Sequence, residues 1–368
     1  MIITVLAFLF VFAVIVLAHE FGHFISAKKF GVRVDEFAFG FPPKIWSKKK
    51  GETRYAINAI PLGGYVKLLG EDGSKDKNPR NLNNKPAWQK TIIFASGVAM
   101  NFLLAWVLLS GFYAFGGQAV IDGAWDHKEV INNQKVKIVE VDEESPAAKS
   151  GVKSGDFIVK INDKSVYQTG AVFSEVQSSS KNNSEIPFVI ESSGDLKEIN
   201  LKTYKTKIDV NGEQVEIERI GVTMEVDGKI RTVWYQAPFV AFKEMFRIVE
   251  MSVTGLFDFL KTLFTTFKIS NEVGGPIAIA QVTGAAAKMG FAALIQTIII
   301  LSIVLGVFNI LPFPALDGGH ILFVGIEKVT GKEVPPQIKN IVNLIGFGLL
   351  LLLIISVTFK DVARLNVF

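Results

Sequence analysis

His19-Glu20-Phe21-Gly22-His23 closes an uncharged apolar run, Ile2 through Ala18. On a helix this pattern sets two imidazoles at i and i+4, on one face, where both can ligate one Zn²⁺. The carboxylate between them is then placed to take a proton from water activated at the metal. As a five-residue pattern it is only moderately specific; its position adds weight. Ionisable groups near membrane depth cost a few kcal/mol, so they are rare without partners or a purpose.

The apolar run makes the first expected membrane helix, residues 1–27, long enough to cross about 30 Å of hydrocarbon. No Lys or Arg precedes it and no small-residue cleavage site ends it, so the reading is a retained helix rather than a secretory signal. At 1.5 Å per residue, His19 lies about 27 Å from the chain start, near the far face of the membrane. Lys28 and Lys29 follow at once, and residues 28–90 carry an excess of Lys and Arg over acids. The positive-inside rule makes that loop cytoplasmic and places the HExxH near the cytoplasmic face.

The composition agrees. Of 368 residues, 49% are hydrophobic and 20% charged, which fits a membrane protein. The net charge of +4 is too small to suggest a nucleic-acid partner, and none is expected. There is no cysteine, so any metal site must use His and carboxylate.

Within the loop, Tyr55 to Leu69 reads YAINAIPLGGYVKLL. β-formers around Pro61 and the Gly63-Gly64 pair predict a hairpin, either membrane-dipping or an ordinary cytoplasmic one. Residues 91–115 form the second membrane helix. Its Gly97 and Asn101 share a face, which predicts close helix packing and an amide bonded to a neighbour or supporting the site. Residues 116–229 are polar and β-rich. Ser145-Pro-Ala-Ala-Lys-Ser-Gly151 reads as cap, short helix and stop before a strand, hence one soluble domain with no second copy. Residues 230–290 are expected to be an amphipathic helix lying in the membrane interface, with its connector. Lys243, Arg247, Glu250, Thr254, Asp258 and Lys261 stripe a Phe-, Met- and Leu-rich segment.

Residues 291–330 make the third membrane helix, ending in Asn309-Ile-Leu-Pro-Phe-Pro-Ala-Leu-Asp-Gly-Gly-His320. Pro312 and Pro314, beside an amide, an acid and a histidine, predict a broken helix lining a polar cavity. Residues 341–359 are the fourth. By this topology the first and third helices both run from the outside to the cytoplasmic side, so the HExxH and Asp317 reach the same depth. Asp317 is the only acid between Glu272 and Glu327, which makes it the natural third ligand; His320, one turn on, is a rival.

HEFGH in the first helix, LGGYVK, SGVAMN and NILPFPALDGG, in that order, resemble the site-2 protease family of intramembrane zinc metalloproteases. The order and contents are most similar to the bacterial regulator of sigma-E protease group. The resemblance implies that His19, His23 and Asp317 hold one zinc and that Glu20 is the catalytic base. It implies that Asn309, Pro312 and Pro314 lie on a substrate-contacting segment, and that residues 116–229 are a periplasmic PDZ-like domain able to take a peptide ligand. Close relatives often carry tandem PDZ domains; here one is found. Gly63, Gly64 and Tyr65 fall on the strand expected to pair with an unwound substrate. The implied fold is a polytopic α-helical membrane protein with four transmembrane helices, a membrane-dipping β-hairpin and one inserted PDZ-like α+β domain. The implied activity is zinc-dependent hydrolysis within or beside single membrane spans, as in anti-sigma factors or remnant signal peptides, in the lipid of the bacterial inner membrane. A metal-binding transporter explains the broken helix but not a Glu between two His. A membrane-tethered PDZ scaffold with an inert HExxH is the other rival.

Overall fold

The structure, a computed structural model, describes residues 2–71, 77–116, 131–167, 169–180, 185–210, 213–230, 232–266 and 274–364. Residues 117–130 of the expected soluble domain and 267–273 of the connector lie outside these. The chain divides into one unit of residues 1–110 with 241–368, and a second of residues 111–240.

In the first unit, α1 (Ile2–Lys29) is followed by β1 (Val34–Lys50), β2 (Thr53–Leu68) and α2 (Ala87–Ala114). Among the described residues, four helices are long and apolar enough to cross a membrane: Ile2–Lys29, Ala87–Ala114, Phe291–Asn309 and Pro336–Ala363. Val11 and Ile15 of α1 pack against Ile298, with Leu104 and Leu108 of α2 around them. A second apolar cluster joins Ala27, Val34, Leu68 and Ile93, so the sheet and the base of the helices share one core.

The expected hairpin inside Tyr55–Leu69 is corrected. That stretch lies within β2, and the tight hairpin turn is at Gly51-Glu52, where Lys50 faces Thr53. Gly51 takes the left-handed conformation a two-residue turn demands (φ 63°). The chain does reverse around Pro61 and Gly63, but the two arms do not pair with each other, because residues 36–39 lie between them. The two strands fold into four runs, because residues 36–39 pair in parallel with 54–57 on one side and antiparallel with 64–67 on the other. Their order across the sheet is 44–50, 53–58, 36–39 and 64–68, with the last at one edge.

The second unit begins within α2. Its sheet has the order β10 (Val222–Ile230), β3 (Ile131–Val141), β4 (Phe157–Ile161), β6 (Glu185–Ser192), β7 (Asp195–Lys202), with β5 (Lys164–Ser165) on β4. The short helices α3 (Pro146–Lys149) and α4 (Thr169–Ser179) accompany it, and β8 (Tyr204–Val210) pairs with β9 (Glu213–Arg219). The capping pattern of the sequence is realised: Ser145 Oγ accepts from the Ala148 amide at 3.1 Å, and Gly151 turns the chain at φ 81°. Val136, Ile158, Phe188 and Leu201 alternate inward to form the core with Val172 and Val176 of α4.

α5 (Ala237–Thr266) carries the striped segment. Where the sequence predicts only a connector, the structure places α6 (Pro276–Met289), packed on α1. Its apolar period was obscured by small residues. They are needed for contact, since a Cβ on Gly284 would lie 2.5 Å from Thr4 Cγ2. The N-terminus of α6 is capped from the last helix: Asp361 accepts from the Gly275 and Ala278 amides at 3.2 and 3.0 Å. Asp361→Ala should cost ~1 kcal/mol of stability, as lost helix caps do, read as a lower unfolding midpoint in detergent.

α7 (Phe291–Asn309) stops at Asn309, α8 (Asp317–Thr330) starts at Asp317, and α9 (Pro336–Arg364) is the last helix among the described residues. The expected third membrane helix, 291–330, is thus two helices around a loop.

Candidate active site

α1 brings His19 and His23 to its buried face, with their Nε2 atoms 3.2 Å apart. The start of α8 adds Asp317, whose Oδ2 lies 3.1 Å from His19 Nε2 and 3.4 Å from His23 Nε2. These ligand atoms all lie within 4.8 Å of one another. His320 is not part of this group; its ring stacks on Phe94, centroids 4.8 Å apart.

The tautomers matter here. His23 Nδ1 stands 2.8 Å from the Ile93 carbonyl, which can only accept, so Nδ1 carries the proton and Nε2 presents a lone pair. Asn101, fully buried, sets its amide 3.3 Å from His19 Nδ1. Turned so that Oδ1 accepts from Nδ1–H, the amide gives that oxygen, otherwise unbonded, a donor and leaves His19 Nε2 bare. Three lone-pair atoms then converge, and Asp317 Oδ2 is buried without a hydrogen bond of sound geometry. Such a cluster is repulsive without a cation. Two imidazoles and a carboxylate with a cavity beside them are the donor set of a catalytic zinc site, so the residues fit the metal. The bonds from Ile93 and Asn101 are the outer contacts that fix ligand tautomers.

α2 passes directly over the imidazoles. A Cβ on Gly97 would sit 2.3 Å from His23 Nε2 and 2.7 Å from His19 Cε1. One on Gly22 would lie 2.2 Å from the Ser96 carbonyl, so α1 and α2 meet backbone to backbone. Ser26 and Ser96 seal that contact, Oγ to Oγ, at 2.7 Å. Packing alone therefore does not explain Gly97; it also clears the space at the two imidazoles.

The ALDGG segment is folded by its glycines. A Cβ on Gly318 would strike the Leu311 carbonyl, and one on Gly319 that of Phe313. Ala315 takes φ 71°, unusual for a residue with a Cβ, and its amide donates to Asn343 Oδ1 on α9 at 3.2 Å.

A cavity of about 390 Å³ opens beside the cluster, lined by Glu20, Gly63, Gly64, Tyr65, Asn309 and His320 among others. Gly64 lies against Glu20, where a Cβ would be 3.1 Å from the Glu20 Cγ, and the Val66 amide donates to the Glu20 carboxylate. Pro312 and Pro314 do not line it. Pro314 faces α9, 2.5 Å from where a Cβ on Gly346 would be. Glu71, Ile93 and Phe94 were missed in the sequence reading although they line the same cavity. Ile93 acts through its carbonyl, and no side-chain pattern advertises that.

Comparison with known proteins agrees with this geometry. A provisionally named zinc metalloprotease of Clostridium acetobutylicum is 36% identical over 352 residues, 95% of each chain. One from Rhizobium meliloti is 31% identical, covering 98% of this chain and 96% of its own. Zinc metalloprotease RasP of Oceanobacillus iheyensis is 28% identical, covering 98% of this chain and 99% of its own. Among solved structures, the PDZ domain of an SdrC-like protein from Listeria monocytogenes is 20% identical, covering 24% of this chain and 85% of its own, with a TM-score of 0.20. The sequence profile of peptidase family M50 matches residues 7–353. This chain belongs to peptidase family M50.

Proposed function

We propose that this protein is a zinc-dependent intramembrane endopeptidase of the site-2 type, in which His19, His23 and Asp317 hold one zinc and Glu20 is the general base. The observation that carries the reading is the convergence of three lone-pair ligand atoms beside a carboxylate-lined cavity. When bound, zinc supplies Lewis acidity, polarising a carbonyl and lowering the pKa of water to about 7.

The protein's own groups do the rest. Glu20, oriented by the Val66 amide, accepts the proton of the attacking water and returns it to the leaving amine. The edge carried by Gly63, Gly64 and Tyr65 offers main-chain donors and acceptors to an unwound substrate, which pairs there as an added strand. A helical substrate has its peptide bonds already hydrogen-bonded, so unwinding precedes cleavage. Asn309 borders the same cavity. Pro312 and Pro314 act at one remove, by shaping the loop that carries Ala315, Leu316 and Asp317. Helix-breaking residues in a substrate's membrane segment should speed cleavage, measured against a poly-Leu span; equal rates would remove the unwinding step.

The four spans and the Lys-rich segment 28–90 support an inner-membrane protein with its active site toward the cytoplasm and residues 116–229 in the periplasm. In the second unit a groove between α4 and β10, lined by Phe173, Val176 and Ile220, supports a PDZ-like domain that takes a peptide. Substrates are single-pass membrane proteins. The chain has no native cysteine, so Lys77→Cys and Ser178→Cys report topology directly. In intact cells an impermeant thiol reagent should label Ser178→Cys alone; labelling of Lys77→Cys alone would invert the arrangement.

A further inference from the structure

Contacts between the sheet and α1 mark depth. Gly64 lies against Val16 and Glu20, and Phe37 and Tyr55 pack on Phe24 with centroids 5.4 and 6.1 Å away. At the turn, Glu52 meets Lys28 at 3.0 Å. Val16 to Lys28 spans about 18 Å of helix. The sheet therefore runs alongside α1 from the end of the helix toward membrane depth.

Two cross-strand rows then differ in kind. The row at the Glu20 level is Gly64, Phe39, Ile57 and Trp46. Its outer members are exposed, Ile57 by 47% and Trp46 by 51%, with Ile45 beside them at 70%. Three residues away, about 10 Å along the strands, the row is Lys67, Glu36, Arg54 and Lys49. Lys48, Lys49 and Lys50 are all exposed there.

The charges do not balance locally. The sheet has three acids, and each is engaged: Asp35 with Arg33, Glu36 with Lys44, and Glu52 with Lys28 and Arg80. The Arg80 and Lys28 hydrogen bonds hold the Glu52 carboxyl down to about 2, so it stays an anion committed to them. Among the described residues no acid pairs with Lys48, Lys49 or Lys50, and Lys49 stands opposite Arg54. Like charges directly opposite each other are destabilising in a sheet unless an anion lies between them. The neighbouring ends of the helices mark the interface, since Trp88 at the start of α2 packs on Phe30 just beyond α1.

We infer that Lys48, Lys49 and Lys50, with Arg54, form a docking surface for the phosphates of anionic phospholipids, while Trp46, Ile45 and Ile57 enter the acyl region below them. Phosphatidylglycerol headgroups supply the missing anion at the level of the lysine row. The lipid thereby fixes how deep the sheet sits, and with it the edge at Gly63–Tyr65. This rests on the membrane-dipping reading of the sheet given above.

The test uses the full chain in liposomes carrying shallow-brominated acyl chains on either phosphatidylglycerol or phosphatidylcholine at equal mole fraction. The Trp46 signal is the difference between the intact chain and Trp46→Phe. Both brominated lipids should quench Trp46, with phosphatidylglycerol enriched about five-fold at the site, the effect of roughly one lysine at an anionic surface. The enrichment should vanish in a Lys48→Gln, Lys49→Gln, Lys50→Gln variant, whose quenching by brominated phosphatidylcholine persists. It should also vanish for the intact chain in 1 M salt, where the screening length is about 3 Å. Equal quenching by the two lipids, or enrichment that survives high salt, overturns the headgroup site while leaving the sheet in the membrane. No quenching by either lipid overturns the membrane-dipping reading as well.

Discussion

Glu20→Gln should lower cleavage of a membrane-embedded substrate by about a hundred- to ten-thousand-fold, the usual contribution of a positioned general base. Gln preserves the size of the side chain and still accepts from the Val66 amide, but it cannot take a proton from water. It contributes no ligand atom to the His19–His23–Asp317 group, so zinc content and membrane insertion should be unchanged. This combination separates the protease from the two other ways of using the same chain. A transporter would keep its metal and its transport, and a scaffold would lose nothing. Full activity in the Gln variant would rule out Glu20 as the base.

Gly97→Ala should be nearly as damaging, from a residue that touches no substrate. The added methyl would fall 2.3 Å from His23 Nε2, far inside contact distance, and its neighbours cannot retreat. α1 and α2 are already in main-chain contact at Gly22, and the His23 ring is pinned by the Ile93 carbonyl. Overpacking of this kind costs about 1–3 kcal/mol, and here the displaced group is one of the three proposed metal ligands. Zinc affinity and activity should therefore fall together, by at least about tenfold each, in keeping with the effect of disturbing a ligand's support. Gly111→Ala, on the same helix but with nothing within 4 Å of the new methyl, is the matched control. Ala is the better helix former by about 1 kcal/mol, so the control should be at least as stable as the parent. Loss of zinc in both variants would mean that α2 responds to helix propensity and not to crowding at the imidazoles.

Much of the site was legible in the sequence because chemistry at membrane depth is conspicuous. A Glu between two His at i and i+4 and an acid preceded by Pro312 and Pro314 have few uses there, and His19, His23 and Asp317 do converge. The supporting parts were less visible. Ile93 works through its carbonyl, which any residue possesses, and Gly97 works by what it lacks. The sheet was misread for a related reason. Pro61 and Gly63-Gly64 do mark a reversal, but residues 36–39, far upstream, lie between its two arms and pair with both, so the arms do not form a hairpin with each other. Such long-range pairing leaves no trace in a fifteen-residue window. α6 escaped notice because small residues, needed to approach Thr4, flatten the apolar period that identifies a helix. The resemblance also implies that Pro312 and Pro314 contact substrate; neither lines this cavity, and Pro314 lies against Gly346 of α9, while Asn309, Ala315, Leu316 and Asp317 stand at its rim.

Metal analysis of purified protein tests the central assignment most directly. About one zinc per chain should be present, and Ala at His19, His23 or Asp317 should each remove most of it. His320→Ala should retain it, because that ring stacks on Phe94 outside the ligand group. Full zinc in Asp317→Ala together with its loss in His320→Ala would contradict the ligand set on which the account depends.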